Sequence, residues 1–456
     1  MKYLYMKKVV FLISIATIWV ATQACEDFVT VDPPSTEIIG PAVFEDEATA
    51  KAAMNGIYSR MMENDLTFTS GIRSITTLAG LSADEFLNYE PGSTNERFNT
   101  NALTGNDALI LWQSLYNTIY MSNAVIEGVN NSDNLNSSVS DQLLGEALFV
   151  RTWIHLYLTN LFGDIPYVTT TDYRVNNILS RLPRKEVMAN AINDANAARM
   201  LLKDKNTDTK SRPNEWAATA LLARLYLYNE QWTEAESMAS SLIDNSDIVF
   251  ESDLSAVFLP TSDESIWHIK PVATGFTFDA VTYILNGIPS RLSLTNELLD
   301  AFELNDARRN QWIATVTVQG VTYAYPYKYK IKNVGMGSEY LIALRLTEQF
   351  LIRAEARARQ NKLAEAENDL NKIRVRANLT QLNGLSQATL MDAIEQERRT
   401  ELFCEWGHRW FDLIRLNRAN TVLANKADWQ PNDILYPVPD NELKNNTNLL
   451  PQNPGY

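Results

Sequence analysis

The residues best suited to acid–base chemistry lie near the C-terminus, where two glutamates, a histidine and an aspartate follow one another: Glu397, Glu401, His408 and Asp412. Glu397 and Glu401 are four residues apart, so a helix would place both carboxylates on one face. Positive charges are close by in the sequence, at Arg398, Arg399, Arg409 and Arg415. Carboxylates among arginines form ion pairs between packed helices far more often than catalytic pairs. The sequence therefore predicts a structural cluster here and no catalytic residue.

Metal binding and nucleophilic catalysis have even less support in the sequence. The three histidines, His155, His268 and His408, are far apart, and neither His-x3-His nor Cys-x2-Cys spacing occurs. The sequence also has no Gly-x-Ser-x-Gly elbow and no phosphate-binding loop. We therefore expect a protein that is not an enzyme and that uses neither a metal nor another cofactor.

Composition narrows the class of partner. The chain has 456 residues, with 45% hydrophobic and 21% charged residues, which is typical of a globular protein with a large core. Its formal net charge is -15. Binding to a phosphate backbone requires a basic face, so the composition argues against nucleic acid as a partner.

The N-terminus has the pattern of a secretory signal. Lys7 and Lys8 precede an apolar stretch over residues 9–21, and the small residue Ala24 precedes Cys25. The alternative, a membrane anchor, needs about 20 apolar residues, which this stretch does not supply. We predict a signal peptide over residues 1–24 and a lipidation site at Cys25.

The residues from Cys25 onward predict an extended tether, and Cys404 is predicted to form no disulfide. Residues 25–40 contain Pro33 and Pro34, which favour an extended segment that would hold the folded body away from a bilayer. Cys404 would be the second cysteine of the secreted chain, so no disulfide framework is expected. Because Cys404 lies in an apolar, apparently helical run, we predict a buried small hydrophobic residue.

Helical periodicity dominates the remaining sequence. Apolar residues recur three or four apart in ten segments: 48–64, 109–128, 138–162, 184–202, 214–229, 232–244, 344–360, 363–376, 390–404 and 409–417. The fold is therefore predicted to be mainly α.

Two of the predicted helix pairs resemble each other. Ala223 aligns with Ala354 and Ala235 with Ala366, and in each pair an alanine-rich helix, a short turn and a Glu-Ala-Glu start follow in order. This pattern predicts tetratricopeptide-like hairpins, in which small side chains allow close packing. An unrelated helical bundle that also places alanine at its contacts is the alternative.

The body, residues 41–456, is predicted to be one domain with two kinds of structure. Residues 107–245 and 340–420 form the helical repeat regions, and residues 246–339 form a central irregular insert with short strands. Strand candidates there are 266–269, 315–323 and 325–331. Residues 67–105 are also predicted to be irregular. Such segments on a helical scaffold commonly carry binding surfaces.

Seven motifs are spread along the chain: Trp112-Gln113-Ser114-Leu115-Tyr116-Asn117, Glu146-Ala147-Leu148-Phe149-Val150-Arg151, Leu161-Phe162-Gly163-Asp164-Ile165-Pro166, Ile373-Arg374-Val375-Arg376-Ala377, Glu397-Arg398-Arg399-Thr400-Glu401-Leu402, Gly407-His408-Arg409-Trp410-Phe411-Asp412 and Gln452-Asn453-Pro454-Gly455-Tyr456. Together they resemble the SusD/RagB family of nutrient-binding lipoproteins. The resemblance spans nearly the whole chain after the signal peptide. It implies a tetratricopeptide-like scaffold whose irregular loops and few short strands hold an oligosaccharide or a similar nutrient.

The resemblance also implies a location and a partner. Family members are lipid-anchored in the outer membrane, and Glu26-Asp27 after the cysteine resembles a signal for export to the cell exterior. A SusC-type TonB-dependent β-barrel transporter is the implied partner in glycan uptake.

The ligand site of this family lies in loops from the first irregular region and the central insert. Sugars stack their C–H faces on aromatic rings and bind polar side chains through their hydroxyls. By position, the site candidates are Arg73, Tyr89, Phe98 and Asn99 from the first region and Phe276, Phe278, Trp312 and Tyr323 from the second.

Two other functions remain open from the sequence. A tetratricopeptide scaffold could bind a peptide or protein on its concave face. A secreted glycosidase would need two carboxylates placed in a cleft, and measured hydrolysis that depends on one carboxylate would indicate it.

Overall fold

The computed structural model describes residues 40–64, 67–204, 210–271 and 274–456. The predicted signal peptide and Cys25 lie outside the described residues, as does all of the predicted tether except residue 40. The described chain is mainly α-helical, as predicted, with 18 α-helices and a few short strands. No helix in the described ranges is long and apolar enough to cross a lipid bilayer.

The α-helices in chain order are α1 Glu47–Met61, α2 Ile75–Ser82, α3 Thr94–Thr100, α4 Leu109–Asn130, α5 Ser137–Phe162, α6 Tyr173–Asn176, α7 Arg184–Leu201, α8 Glu215–Tyr228, α9 Trp232–Ile243, α10 Phe278–Tyr283, α11 Asn296–Leu299, α12 Ala307–Trp312, α13 Leu346–Arg359, α14 Leu363–Arg376, α15 Gln387–Glu401, α16 His408–Arg415, α17 Ala419–Val422 and α18 Asp440–Asn445. Short 3-10 turns occupy Gly40–Phe44, Pro431–Ile434 and Thr447–Leu449. The strands are β1 Phe86–Asn88, β2 Ser265–Ile269, β3 Leu292–Leu294, β4 Ile313–Val318, β5 Val321–Pro326 and β6 Leu341–Arg345.

The long helices form one continuous helical layer. Neighbours in this layer are, in order, α4, α5, α7, α8, α9, α13 and α14, with α15 packed against both α13 and α14. The repeat seen in the sequence appears here as the hairpins α8–α9 and α13–α14. Because α9 packs directly against α13, the two hairpins adjoin although the central insert separates them in sequence.

Side chains at the helix starts and contacts explain why these segments are helical. Asn136 caps α5 by accepting the backbone N–H of Val139, and Asn214 caps α8 by accepting that of Ala217. Alanine occupies the contacts as predicted, and Ala223 and Ala354 are fully buried. Small side chains let neighbouring helix backbones approach closely while the interior stays densely packed.

The strands form three small antiparallel pairs. β1 pairs with β3, and β2 pairs with β6 across a register irregularity. β4 and β5 form a hairpin in which Val318 lies opposite Val321. The two turn residues between them, Gln319 and Gly320, both have positive φ, which matches the twist of a two-residue hairpin turn.

Some predicted boundaries were wrong. The candidate strand 315–323 is interrupted by this turn, and the candidate 325–331 continues as a strand only to Pro326. Residues 344 and 345 end a strand and do not begin a helix, and the helix predicted at 390–404 runs instead from Gln387 to Glu401. Cys404 is buried, as predicted, but lies in the turn that follows this helix.

Residues 67–105 contain regular structure that the sequence analysis missed, namely α2, β1 and α3. Every residue of α2 is buried, so its sequence has no alternation between an apolar and a polar face. Periodicity detects helices that have one exposed face, and a helix buried on all sides escapes it.

Candidate functional site

The first irregular segment and the central insert meet in space. β1 pairs with β3, with Phe86 opposite Leu294, and the Tyr89 N–H donates to the Arg291 carbonyl at 2.7 Å. These contacts join residues about two hundred positions apart in the chain. They are hydrogen bonds between backbone groups, so they do not require particular side chains. The structure therefore brings together the two segments from which the site candidates were taken.

Two of the candidate rings are neighbours at this junction. The ring centroids of Tyr89 and Tyr323 are 6.2 Å apart, with the rings nearly perpendicular at 79°. The Tyr89 hydroxyl is 3.1 Å from Oγ of Ser293. Both tyrosines are half-buried, so part of each residue remains accessible to solvent.

A charged pair lies beside the rings. The Arg291 Nε is 3.6 Å from Oε1 of Glu90, and both side chains are partly exposed. We call Tyr89, Glu90, Arg291, Ser293 and Tyr323 the tyrosine site. It combines aromatic faces with a hydroxyl, a carboxylate and a guanidinium, which together can stack on a ligand and exchange hydrogen bonds with it.

The β4–β5 hairpin positions Tyr323. Tyr323 lies opposite Val316, and the hydroxyls of Thr317 and Thr322 are 2.9 Å apart across the strands. The hairpin tip is exposed, since Val321 is 52% accessible. The hairpin thus holds the half-buried Tyr323 on paired backbone close to an exposed tip.

Three more candidates lie at a neighbouring place on the same junction. The rings of Phe276 and Phe278 are 6.4 Å apart, and Phe278 begins α10. Oδ1 of Asp279 accepts the hydroxyl of Ser70 and the N–H of Gly71, each at 2.9 Å. The backbone just before Arg73 is therefore held against the start of α10. Arg73 is half-buried and makes no ion pair with any residue in the described ranges.

Asp279 is the buried anchor of this arrangement. Burial raises the pKa of its carboxyl to about 6, although the N–H of Gly71 and the hydroxyl of Ser70 oppose the rise. The Asp279 carboxyl is therefore partly protonated at mildly acidic pH.

Asn99 has a supporting position. Its Oδ1 accepts the backbone N–H of Asn88 at 2.7 Å, which joins α3 to the end of β1. Because Asn88 immediately precedes Tyr89, Asn99 helps to hold the backbone that carries the first ring of the tyrosine site.

Two candidates are part of the core. Phe98 is fully buried with its ring edge-on to Tyr436 at 5.2 Å, and Trp312 is 1% exposed. The indole N–H of Trp312 donates to the Leu254 carbonyl at 2.9 Å. Neither ring has an open face for a ligand, so we leave both out of the site.

The sequence analysis missed Glu90, Arg291 and Ser293. No motif marks them, and Arg291 and Ser293 reach Tyr89 only because β3 pairs with β1. The one available signal was the adjacency of Glu90 to a nominated tyrosine.

The C-terminal carboxylates form a buried ion-pair seam, as predicted. Arg308 contacts Glu397 at 2.5 Å and Glu401 at 3.0 Å, and Glu401 also contacts Arg345 at 2.7 Å and Arg376 at 2.6 Å. Burial would raise the pKa of Glu401, but the charges of Arg376, Arg345 and Arg308 outweigh it and hold the pKa well below its usual range. A carboxylate held ionised by three arginines is a poor proton donor.

The seam also contains Asp412, which pairs with Arg398 at 2.7 Å and Arg415 at 2.8 Å. His408 is buried, and burial together with neighbouring cations lowers its pKa well below the usual value. Burial likewise lowers the pKa of His155 to about 3 and that of His268 to about 4. In the described ranges, no three His, Cys, Asp or Glu side chains are placed to hold a metal ion.

Comparison with known proteins decides the family. A family model described as "Starch-binding associating with outer membrane" matches residues 46–227, and the SusD family model matches residues 300–456. The chain belongs to the SusD/RagB family. The resemblance drawn from its motifs is thereby confirmed.

Relatives of known name cover almost the whole chain. SusD-like protein P2 from Formosa agariphila is 28% identical over 92% of this chain and 95% of its own length. A SusD superfamily protein from Bacteroides vulgatus has a crystal structure that matches with a TM-score of 0.78 at 20% identity, covering 91% of this chain and all of that one (100%). Surface glycan-binding protein A from Bacteroides thetaiotaomicron, solved in complex with laminarihexaose, matches with a TM-score of 0.74 at 17% identity, covering 89% and 99%. These solved structures show that the SusD-like fold is shared.

Proposed function

We propose that this SusD/RagB family protein binds oligosaccharide at the cell surface through the tyrosine site. The observation that carries the proposal is the meeting of Tyr89 and Tyr323 from distant segments, beside Ser293, Glu90 and Arg291. Ring faces with hydroxyl, carboxylate and guanidinium groups alongside suit the C–H faces and hydroxyls of sugars. The laminarihexaose complex of a structural neighbour adds support, although that ligand is known only for the neighbour.

Family membership supports extending the proposal to a wider role. The protein would be secreted, lipidated at Cys25 and held at the outer membrane, facing the cell exterior. It would deliver oligosaccharide to a SusC-type TonB-dependent β-barrel transporter. The proposal is for binding without hydrolysis, since Glu397 and Glu401, the spaced pair considered for acid–base chemistry, are buried in ion pairs and give a glycosidase no support.

A glycan array followed by calorimetry tests the binding function. The wild-type protein should bind at least one class of glycan on the array. Replacement of both rings, Tyr89→Ala with Tyr323→Ala, should weaken calorimetric affinity for that glycan by at least about tenfold, or about 1.4 kcal/mol. Tyr173→Ala removes a 70% exposed tyrosine elsewhere and serves as the matched control.

The outcomes separate this function from its alternative. Unchanged affinity in the double variant would remove the tyrosine site from consideration. An empty array together with co-purified peptides would favour the peptide-binding scaffold.

Anchoring and partnership need their own tests. Cys25→Ser should release the protein from the outer-membrane fraction, while Cys404→Ser, a change at a buried thiol, should leave fractionation unaltered. Affinity purification from solubilised outer membranes should recover a β-barrel transporter with the wild-type protein. Retention of the Cys25→Ser protein in the membrane would contradict lipid anchoring there.

A further inference from the structure

A groove lies on the helical layer, along α4, and its lining contains no residue of the tyrosine site. We call it the amide groove, and it has a volume of about 330 Å³. Its lining combines the rings of Trp112, Tyr116 and Tyr120 with side-chain amides such as Asn176 and Asn177, the carboxylate of Glu442 and three apolar residues. The volume falls at the lower end of the range of about 300–1,000 Å³ for small-ligand pockets.

The spacing of residues on α4 places its rings in a row. Gln113, Tyr116 and Tyr120 are three and four residues apart, so they share one face of the helix. The ring centroids of Trp112 and Tyr116 are 4.7 Å apart, and the Tyr116 hydroxyl donates to the Pro166 carbonyl at 3.0 Å. Tyr120 is 52% exposed. The row therefore runs from a fixed inner pair to an open outer ring.

Polar groups in the groove still have hydrogen-bonding capacity. Asn176 donates through Nδ2 to the Thr170 carbonyl at 2.8 Å, while its Oδ1 is buried and has no partner within the described residues. This oxygen has almost no solvent-accessible surface, so a ligand in the groove would meet the exposed amides first. The exposed amides of Asn177 and Asn445 also make no side-chain hydrogen bond to any other described residue.

The charge of the lining indicates which ligand would suit it. Glu442 supplies the one charged side chain among the described residues that line the groove, and Gln113 Nε2 lies 3.4 Å from its Oε1. Without a lining lysine or arginine, the groove is poorly suited to phosphate or carboxylate groups. A peptide helix would need a continuous apolar stripe, which the amides interrupt.

We infer that the amide groove is a second carbohydrate-binding site, which takes a short neutral oligosaccharide against Tyr120 and the side-chain amides. The inference rests on the proposed function, because a second sugar site is meaningful in a protein that binds glycans. It adds a distinct location, on the helical layer, whose side chains share no member with the tyrosine site. A long glycan could thereby contact the protein at two places.

Oxidative footprinting read by mass spectrometry can distinguish the two sites within one sample. The probe is a saturating mixture of neutral hexasaccharides, made of laminarihexaose, maltohexaose, cellohexaose and xylohexaose. Oxidation of Tyr120 is expected to fall about twofold or more, because stacking covers one of the two ring faces. Oxidation of Met200, which is 79% exposed on α7 and lies outside the groove lining, should not change.

Variants make the assignment specific. Asn177→Ala should raise the sugar concentration that half-protects Tyr120, because it removes an exposed amide from the groove lining. The tyrosine-site variant Tyr89→Ala with Tyr323→Ala should leave the protection of Tyr120 unchanged. Circular dichroism of each variant verifies that α4 and its neighbours remain folded.

The outcomes separate the inference from the proposed function. Protection of Tyr89 or Tyr323 without protection of Tyr120 would overturn the second site and leave the proposed function intact. Protection at neither place would overturn both for neutral hexasaccharides. Protection of Tyr120 by a tryptic peptide mixture and not by sugars would also overturn the inference, because it would assign the groove to a protein partner.

Discussion

The helical layer and the ion-pair seam are both buried, but different chemistry holds them together. In the layer, alanines such as Ala223 and Ala354 are fully buried at the helix contacts. At the seam, which joins the central insert to α15, Arg308 and Arg345 meet Glu401 with almost no exposed surface. Apolar contacts tolerate small adjustments, whereas a buried charge without its partner leaves a large desolvation penalty. The layer should therefore respond to changes of volume and the seam to changes of charge.

The largest effect is expected from removing the shared carboxylate of the seam. Glu401→Ala leaves three buried arginines without a common partner, and we expect a loss of about 3–5 kcal/mol in unfolding free energy. Urea denaturation measures it. Glu236→Ala is the matched control, because Glu236 also binds two cations, Arg357 and Lys362, but at the partly exposed edge of the layer. A loss of about 1 kcal/mol or less is expected there. Equal losses of unfolding free energy in the two variants would show that burial does not distinguish these two ion-paired carboxylates.

A change of volume should disturb the layer next. Ala354→Leu inserts a larger side chain where α13 is fully buried, and overpacking should cost about 1–3 kcal/mol in unfolding free energy. The control is Ala364→Leu at an exposed position on α14, which should change stability by less than about 0.5 kcal/mol. If both substitutions were neutral by thermal and urea denaturation, the layer would be more loosely packed than its contacts indicate.

Asp279 extends the comparison to the neighbourhood of the tyrosine site. Asp279→Ala removes the acceptor for Ser70 and Gly71 and should cost about 1–2 kcal/mol. Asp279→Asn keeps an acceptor oxygen and should cost less. Denaturation of both variants at pH 7 compares the lost hydrogen bonds with the lost charge.

The same carboxyl predicts a pH dependence. Its pKa is about 6 in the folded protein, above the ordinary 3.8, so between these values the folded state binds more protons than the unfolded state. The unfolding free energy should therefore fall as the pH rises from about 4 to about 6 because of this group. Asp279→Asn should remove that contribution, which denaturation at a series of pH values can detect. An identical pH profile in the variant would contradict the assignment.

The smallest effect is expected at an exposed ion pair. Lys51 and Glu47 are one helical turn apart on α1, at 3.3 Å, with both side chains about 40% exposed (43% and 39%). Lys51→Ala should change unfolding free energy by less than about 0.5 kcal/mol, because solvent screens the pair. A loss comparable to that of Glu401→Ala would show that burial is not what separates these ion pairs.

The sequence predicted the helical layer well because its signal is local. Helices α9 and α14 begin at Trp232 and Leu363, where the periodicity placed them, and the aligned alanines predicted the two hairpins. The sequence also predicted that the C-terminal carboxylates form ion pairs with arginines. The partners of Glu401 were not predicted, because Arg308 approaches it from the central insert and Arg345 from the end of β6.

The candidate site was only partly predictable. Only the family resemblance suggested that Tyr89 and Tyr323 lie near each other. In the structure, the pairing of β1 with β3 brings the two rings together. Phe98 and Trp312 looked equivalent to these tyrosines in sequence, but contacts with Tyr436 and Leu254 bury them. An aromatic residue in an irregular segment has no local pattern that distinguishes a core ring from an exposed one.

By itself, the sequence determined the family, the helical repeat and the ion-pairing character of the C-terminal charges. These properties depend on residue spacing within one or two helices, which is readable along the chain. The tertiary structure alone decided which rings stay accessible and which groups surround them. Exposure depends on how residues hundreds of positions apart pack together, and that packing follows from long-range contacts that no local spacing encodes.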